Sequence, residues 1–65
     1  MAKKSYKNEP KIGYYAHNVK TQTNVQILEK IATKSYTEFY TCMELETHDI
    51  IMCDKRDLTT FYTYE

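Results

Sequence analysis

The residues best equipped for chemistry in this chain are Cys42, Cys53, His17 and His48, together with the acids Glu38, Glu44 and Glu46. Thiolates and imidazoles are the ligand types of a tetrahedral zinc site. The spacing argues against one, because no C-x-x-C knuckle is present and His48 falls in a polar turn away from both cysteines. A nucleophilic thiol needs a histidine beside it and a third group to orient that base. Neither His17, at a strand end, nor His48 has a sequence reason to meet a cysteine. The glutamates recur at strand spacing, which sets them on a solvated face rather than in a desolvating cleft. No catalytic residue, metal or cofactor is therefore expected, and the chain reads as a non-enzyme.

The elements that position these residues centre on the stretch from Tyr36 to Tyr64. Alternation from Tyr36 to Leu45 puts Phe39, Met43 and Leu45 on one side of a strand and Tyr40, Cys42 and Glu44 on the other. After the polar break Glu46–Asp49, the run Ile50–Cys53 resumes, which predicts a hairpin with Leu45 facing Ile50, Met43 facing Met52 and Cys42 facing Cys53. A second turn, Asp54–Asp57, leads to Leu58–Tyr64, a β-branched and aromatic strand expected to pair with the second. Phe39, Met43, Leu45, Ile50, Met52 and Phe61 are then the core face. Tyr40, Tyr62 and Tyr64 share the reverse face with the cysteines, which are expected as reduced thiols.

Ahead of this meander, residues 1–10 are basic and poor in apolar surface, the composition of a flexible arm, and residues 11–65 are expected to form one domain. Lys11–His17 reads as a strand, with Gly13 marking a bulge or the close approach of another backbone, and Asn18–Gln22 as a connector. Thr23 and Gln26 have capping-box spacing, and Val25, Leu28, Ile31 and Ala32 fall on one helical face, so residues 24–34 are predicted to be a helix. Val25, Ile27 and Ile31 also alternate as a strand would, with Glu29 as the misfit. The expected architecture is α+β, in the order β-α-β-β-β with the helix covering the greasy face; the alternative is a small all-β barrel.

At 65 residues, folding buries only about 60% of the unfolded surface, so the core is marginal. No apolar run long enough for a membrane span is present and no leader is recognisable, so a cytoplasmic protein is expected. Charge is divided: residues 1–35 carry seven lysines against Glu9 and Glu29, a balance of +5, and residues 36–65 carry Lys55 and Arg56 against seven acids, a balance of −5.

Two functions fit these features. The first is a protein-binding module that occludes a larger, basic partner through Tyr40, Tyr62 and Tyr64, ringed by Glu38, Glu44, Asp49 and Glu65, or that pairs through an open edge at Leu58–Tyr64, with its own copy included. A tiny chain without catalytic machinery has the general character of the inhibitors that phage genomes encode against host proteins. The second is a nucleic-acid binder using Lys3, Lys4, Lys7 and Lys11 for phosphates and Tyr6 for stacking. It is less favoured because the sheet with most aromatic residues is drawn from the acidic half.

Overall fold

The structure, a computed structural model, describes residues 2–7, 10–31 and 38–64. Six antiparallel strands form a single sheet: β1 (Lys3–Tyr6), β2 (Tyr15–Asn18), β3 (Thr23–Ile31), β4 (Phe39–Glu44), β5 (Ile50–Asp54) and β6 (Leu58–Tyr64), in the spatial order β1-β6-β2-β3-β4-β5. The expected α+β architecture is thus replaced by an all-β one. The sheet is also open: β1 and β5 are its two edges and no ladder among the described residues joins them, so the barrel alternative is not met either. Residues 32–34 of the predicted helix, Tyr36 and Thr37 of the predicted strand, and Glu65 lie outside the described residues. No helix among the described residues is long and apolar enough to cross a membrane.

Residues 23–31 are a strand because their β-branched side chains, Thr23, Val25, Ile27 and Ile31, suit an extended chain, and because a bulge removes the misfit that favoured a helix. The register runs Ile27 to Cys42 and then Glu29 to Thr41, which leaves Leu28 as the extra residue. Past the bulge, alternation restarts one residue late. Glu29 therefore shares the outer face with Thr41, and Ile31 pairs with Phe39 there, while Val25 and Ile27 are fully buried inside.

On β4 and β5 the two faces are also reversed from expectation, whereas Phe61 of β6 lies in the core as predicted. The core consists of Ala16, Val25, Ile27, Tyr40, Cys42, Cys53, Leu58 and Phe61, with Tyr6, Tyr14 and Ile51 packed against it. Ile50 and Met52 are 60% and 65% exposed, and Phe39 and Met43 only half-buried. The reason is curvature. Asn18 of β2 reaches Cys53 of β5, three strands away in the sheet, with Nδ2 3.3 Å from Sγ, so the sheet is curled onto one face. Ala16, Val25, Cys42 and Cys53 line the concave face together with the larger Ile27, Tyr40, Leu58 and Phe61. The long side chains of Ile50, Met52 and Met43 fall outside.

Pairing differs as well. Met43 faces Ile50, Cys42 faces Ile51 and Tyr40 faces Cys53, a two-residue shift from the predicted hairpin that lengthens the loop to Leu45–Asp49 and keeps the cysteines on one face as diagonal neighbours. In that loop His48 takes a left-handed φ of 64° and donates its N–H to Glu44 O at 2.8 Å. The strand β6 does not follow β5 in the sheet. A 3₁₀ turn, Lys55–Asp57, is capped by Asp54, whose carboxylate accepts from Arg56 N at 2.9 Å. It leads from β5 to β6, which lies between β1 and β2, and Val19 N, on the β2–β3 turn, donates to Asp57 O at 2.9 Å. Gly13 is required by its φ of 92° and not by a close approach, since nothing lies within 4 Å of where a Cβ would stand. Lys3–Tyr6, within the basic segment expected as an arm, is an edge strand laid along β6.

Candidate functional site

The outer face is crossed by one row of facing residues, Ser5, Tyr62, Tyr15, Gln26, Met43 and Ile50, one from each of the six strands. Its two ends differ in chemistry. At the β1–β6–β2 end, Tyr15 stacks on Tyr62 with centroids 5.4 Å apart, and Tyr64 meets both rings edge-on at 5.5 Å. Lys3 Nζ lies 4.2 Å above the Tyr62 ring. These neighbours leave Tyr62 5% exposed although it points away from the core, and Tyr64 remains 48% exposed. Burial, with Tyr64 and Tyr15 beside it, pushes the Tyr62 hydroxyl above the ordinary tyrosine pKa.

At the other end, Ile50, Met52, Met43 and Phe39 form an apolar bed on β4 and β5. The bed adjoins a free strand edge. Glu44 N donates to Asp49 O and Lys55 N to Glu38 O, each at 2.9 Å. Counting inward in twos from those pairs, Ile51 and Cys53 direct their main-chain groups at β4. Ile50 and Met52 direct theirs outward, where no strand among the described residues meets them.

The structure does not assemble the predicted partner site. Tyr40 is 3% exposed on the inner face, where its hydroxyl donates to Glu38 Oε2 at 3.1 Å. Burial first, and then Glu38, push its pKa up. Glu38 is itself neutralised by Lys30 and Lys55, both at 3.6 Å, and its carboxyl is held below the usual range, chiefly by the Tyr40 hydroxyl and then by those lysines. Glu44 is half-buried at the hairpin end and Asp49 is exposed in the turn, both remote in the sheet from Tyr62 and Tyr64. Tyr15, absent from the predicted set, joins the latter two because β2 and not β5 lies beside β6.

Comparison with protein-family models, curated proteins and solved structures found no match to this chain.

For the alternative site, Lys3, Lys4, Lys7 and Lys11 are all exposed, but Tyr6 is half-buried against Tyr14 with centroids 4.5 Å apart, and its hydroxyl lies 3.2 Å from Thr63 Oγ1. Its ring seals the core and is not a free stacking platform. The edge expected at Leu58–Tyr64 is occupied on both sides, by β1 and β2. Among the described residues no cluster of three or more histidines, cysteines or acids is placed to hold a metal. Sequence reasoning also missed Asn18, the buried polar residue, whose Oδ1 accepts from Lys20 N at 2.9 Å and Thr21 N at 3.3 Å. An asparagine at the start of a turn, able to accept from the backbone two residues on, is the available signal.

Proposed function

We propose that this chain is a small, non-enzymatic protein-interaction module that takes an extended segment of a partner along the outer edge of β5. The observation that carries the reading is the coincidence of outward-facing main-chain groups at Ile50 and Met52 with the exposure of those same side chains. Strand addition needs main-chain donors and acceptors for affinity and alternate side chains for specificity, and both are here. Neither lysine nor proline blunts Ile50–Asp54. A second copy of the chain is one possible occupant, through this edge and not through Leu58–Tyr64.

A second reading, nucleic-acid binding, gains from one contact. Lys3 on Tyr62 shows that the basic strand β1 is neighbour to the aromatic end of the outer face, so phosphate would not meet an acidic surface there.

One experiment separates them: affinity capture with the tagged chain, compared with Ile50→Lys/Met52→Lys and with Lys3→Ala/Tyr64→Ala, at low and high salt. The interaction reading expects a protein retained through high salt and lost in the β5 double variant, by about 100-fold or more given about 1.5–3 kcal/mol per apolar side chain buried. Loss in the Lys3/Tyr64 variant alone, with binding that collapses as salt rises, would replace it with the nucleic-acid reading.

A further inference from the structure

The strand-addition reading leaves open what lies along β5, and the residues on and around that strand match a second copy of themselves. Ile50 and Met52 turn their main-chain groups outward, so a strand added there pairs with them and, two places on, with Asp54. Two antiparallel copies are related by a two-fold axis, and its position decides which side chains meet. An axis through Met52 or Cys53 sets an apolar side chain of one copy against the Asp54 carboxylate of the other. An axis through Ile50 brings Met52 against His48, whose left-handed φ of 64° interrupts the extended chain. An axis through Ile51 avoids both. It pairs Ile50 of each copy with Met52 of the other on the outer face, where both are exposed, and brings the two half-buried Ile51 side chains together on the inner face.

Charge selects the same orientation. Before Ile50 the chain is acidic, with Glu44, Glu46 and Asp49 around His48. After Met52 stand Lys55 and Arg56, with Lys20 across the cleft on the β2–β3 turn, against Asp54 and Asp57. Asp54 is held by Arg56 at 2.8 Å, and Glu38 beside this end by Lys30 and Lys55, so one end of β5 is acidic and the other close to balanced. An antiparallel neighbour brings each acidic loop to the end that carries lysine and arginine. A parallel one sets acid beside acid, which is penalised.

We infer that the occupant of the β5 edge is a second copy of this chain, paired antiparallel about an axis through Ile51, so that the sheet runs on from one copy into the other. This rests on the strand-addition reading and narrows it to one partner. An interface confined to one strand per copy is smaller than the roughly 1,200–2,000 Å² that stable complexes bury, so the dimer exchanges with monomer and comes apart on dilution. Any other protein segment must displace the second copy to reach the edge.

The test is sedimentation equilibrium of the purified full chain over a range of concentrations, which is expected to show a monomer–dimer equilibrium. Met52→Lys, at a position 65% exposed, should weaken it by about tenfold or more. Glu46→Gln/Asp49→Asn removes an attraction across the axis and should weaken it about two- to fivefold, and added salt should act in the same direction. Strengthening by either would mean acid against acid and would overturn the antiparallel pairing.

The axis is read by oxidative cross-linking of chains carrying one added cysteine. Facing hydrogen-bonded residues stand about 5.5 Å apart at Cα, within the span of a disulfide, and diagonal ones about 7–8 Å, beyond it. Ile50→Cys chains mixed with Met52→Cys chains should therefore give a covalent dimer, and neither variant alone should. A bond formed by either variant alone would move the axis to that residue and overturn the register. Both sites are exposed, and chains are compared only where circular dichroism is unchanged.

A chain that stays monomeric at every concentration, while Ile50→Lys/Met52→Lys still loses a captured protein, would overturn self-pairing and leave strand addition standing. A dimer that Met52→Lys does not weaken would overturn self-pairing at β5 whatever the capture gives. If the β5 variants change neither association nor capture, both readings fall.

Discussion

The two edges of the sheet meet water differently. β1 is basic, with Lys3 and Lys4 in its four residues, and a neighbour on that side would have to bring its strand against two ammonium groups. β5 carries only Asp54 as a charge and exposes Ile50 and Met52 beside its outward main-chain groups. One edge is protected against pairing, and no strand among the described residues pairs with the other. On the proposed interaction reading, the undefended end is where a partner strand would add. The outer face repeats the contrast: its tyrosines cover one another, while its aliphatic side chains have no cover among the described residues.

The largest expected effect breaks the assignment of inside and outside. Ile27→Ala, at a fully buried position, is expected to cost about 2–5 kcal/mol and to unfold much of this small chain, whereas Ile50→Ala stays within about 0.5 kcal/mol in urea denaturation. Equal losses would mean that β5 is covered after all. Tyr64→Ala, which removes two edge-on ring contacts at the tyrosine end, is expected to cost about 0.5–1.5 kcal/mol by the same measurement.

Titration sharpens the difference between sealed and open rings. Tyr40 and Tyr62 have folded pKa values above the ordinary tyrosine range, so their protonated forms stabilise the fold. That contribution is present below about pH 10 and is lost as pH rises from there through the folded values. Ultraviolet titration should show these two ionising above the ordinary tyrosine range, and Tyr40→Phe should remove one late step. Glu38 has the opposite sign: its depressed pKa gives stability that is present above the ordinary glutamate value and lost as pH falls through the folded one, so Glu38→Gln should flatten the acid limb of the stability curve.

The smallest effect on stability concerns the edges themselves. Met52→Lys should leave unfolding unchanged within about 0.5 kcal/mol while abolishing edge-mediated association, and Lys3→Thr/Lys4→Thr should increase association seen by sedimentation. If neither moves, edge protection is not what distinguishes β1 from β5.

Much of the local structure was legible in the residues. The strand Leu58–Tyr64 has the predicted bounds, Ile50–Asp54 extends the predicted run by one residue, and the predicted connector Asn18–Gln22 contains the β2–β3 turn, residues 19–22, with Asn18 ending β2. Residues 24–31 were misjudged because a bulge at Leu28 disguises a strand as a broken alternation, and a single chain offers no sign of where an extra residue will be accommodated. The candidate site fared worse: Tyr62 and Tyr64 do meet, but with Tyr15, and Tyr40 lies inside.

What the sequence by itself determined is period and punctuation: which segments extend, where they turn, and which residues must share a face, since these depend on side chains a few positions apart. Which face turns inward was decided only when the sheet curled, because the space inside a curl is a property of all six strands together. The neighbours of β6 were likewise set by where the 3₁₀ turn delivers the chain. Both choices place the exposed edge, and neither is encoded within any one segment.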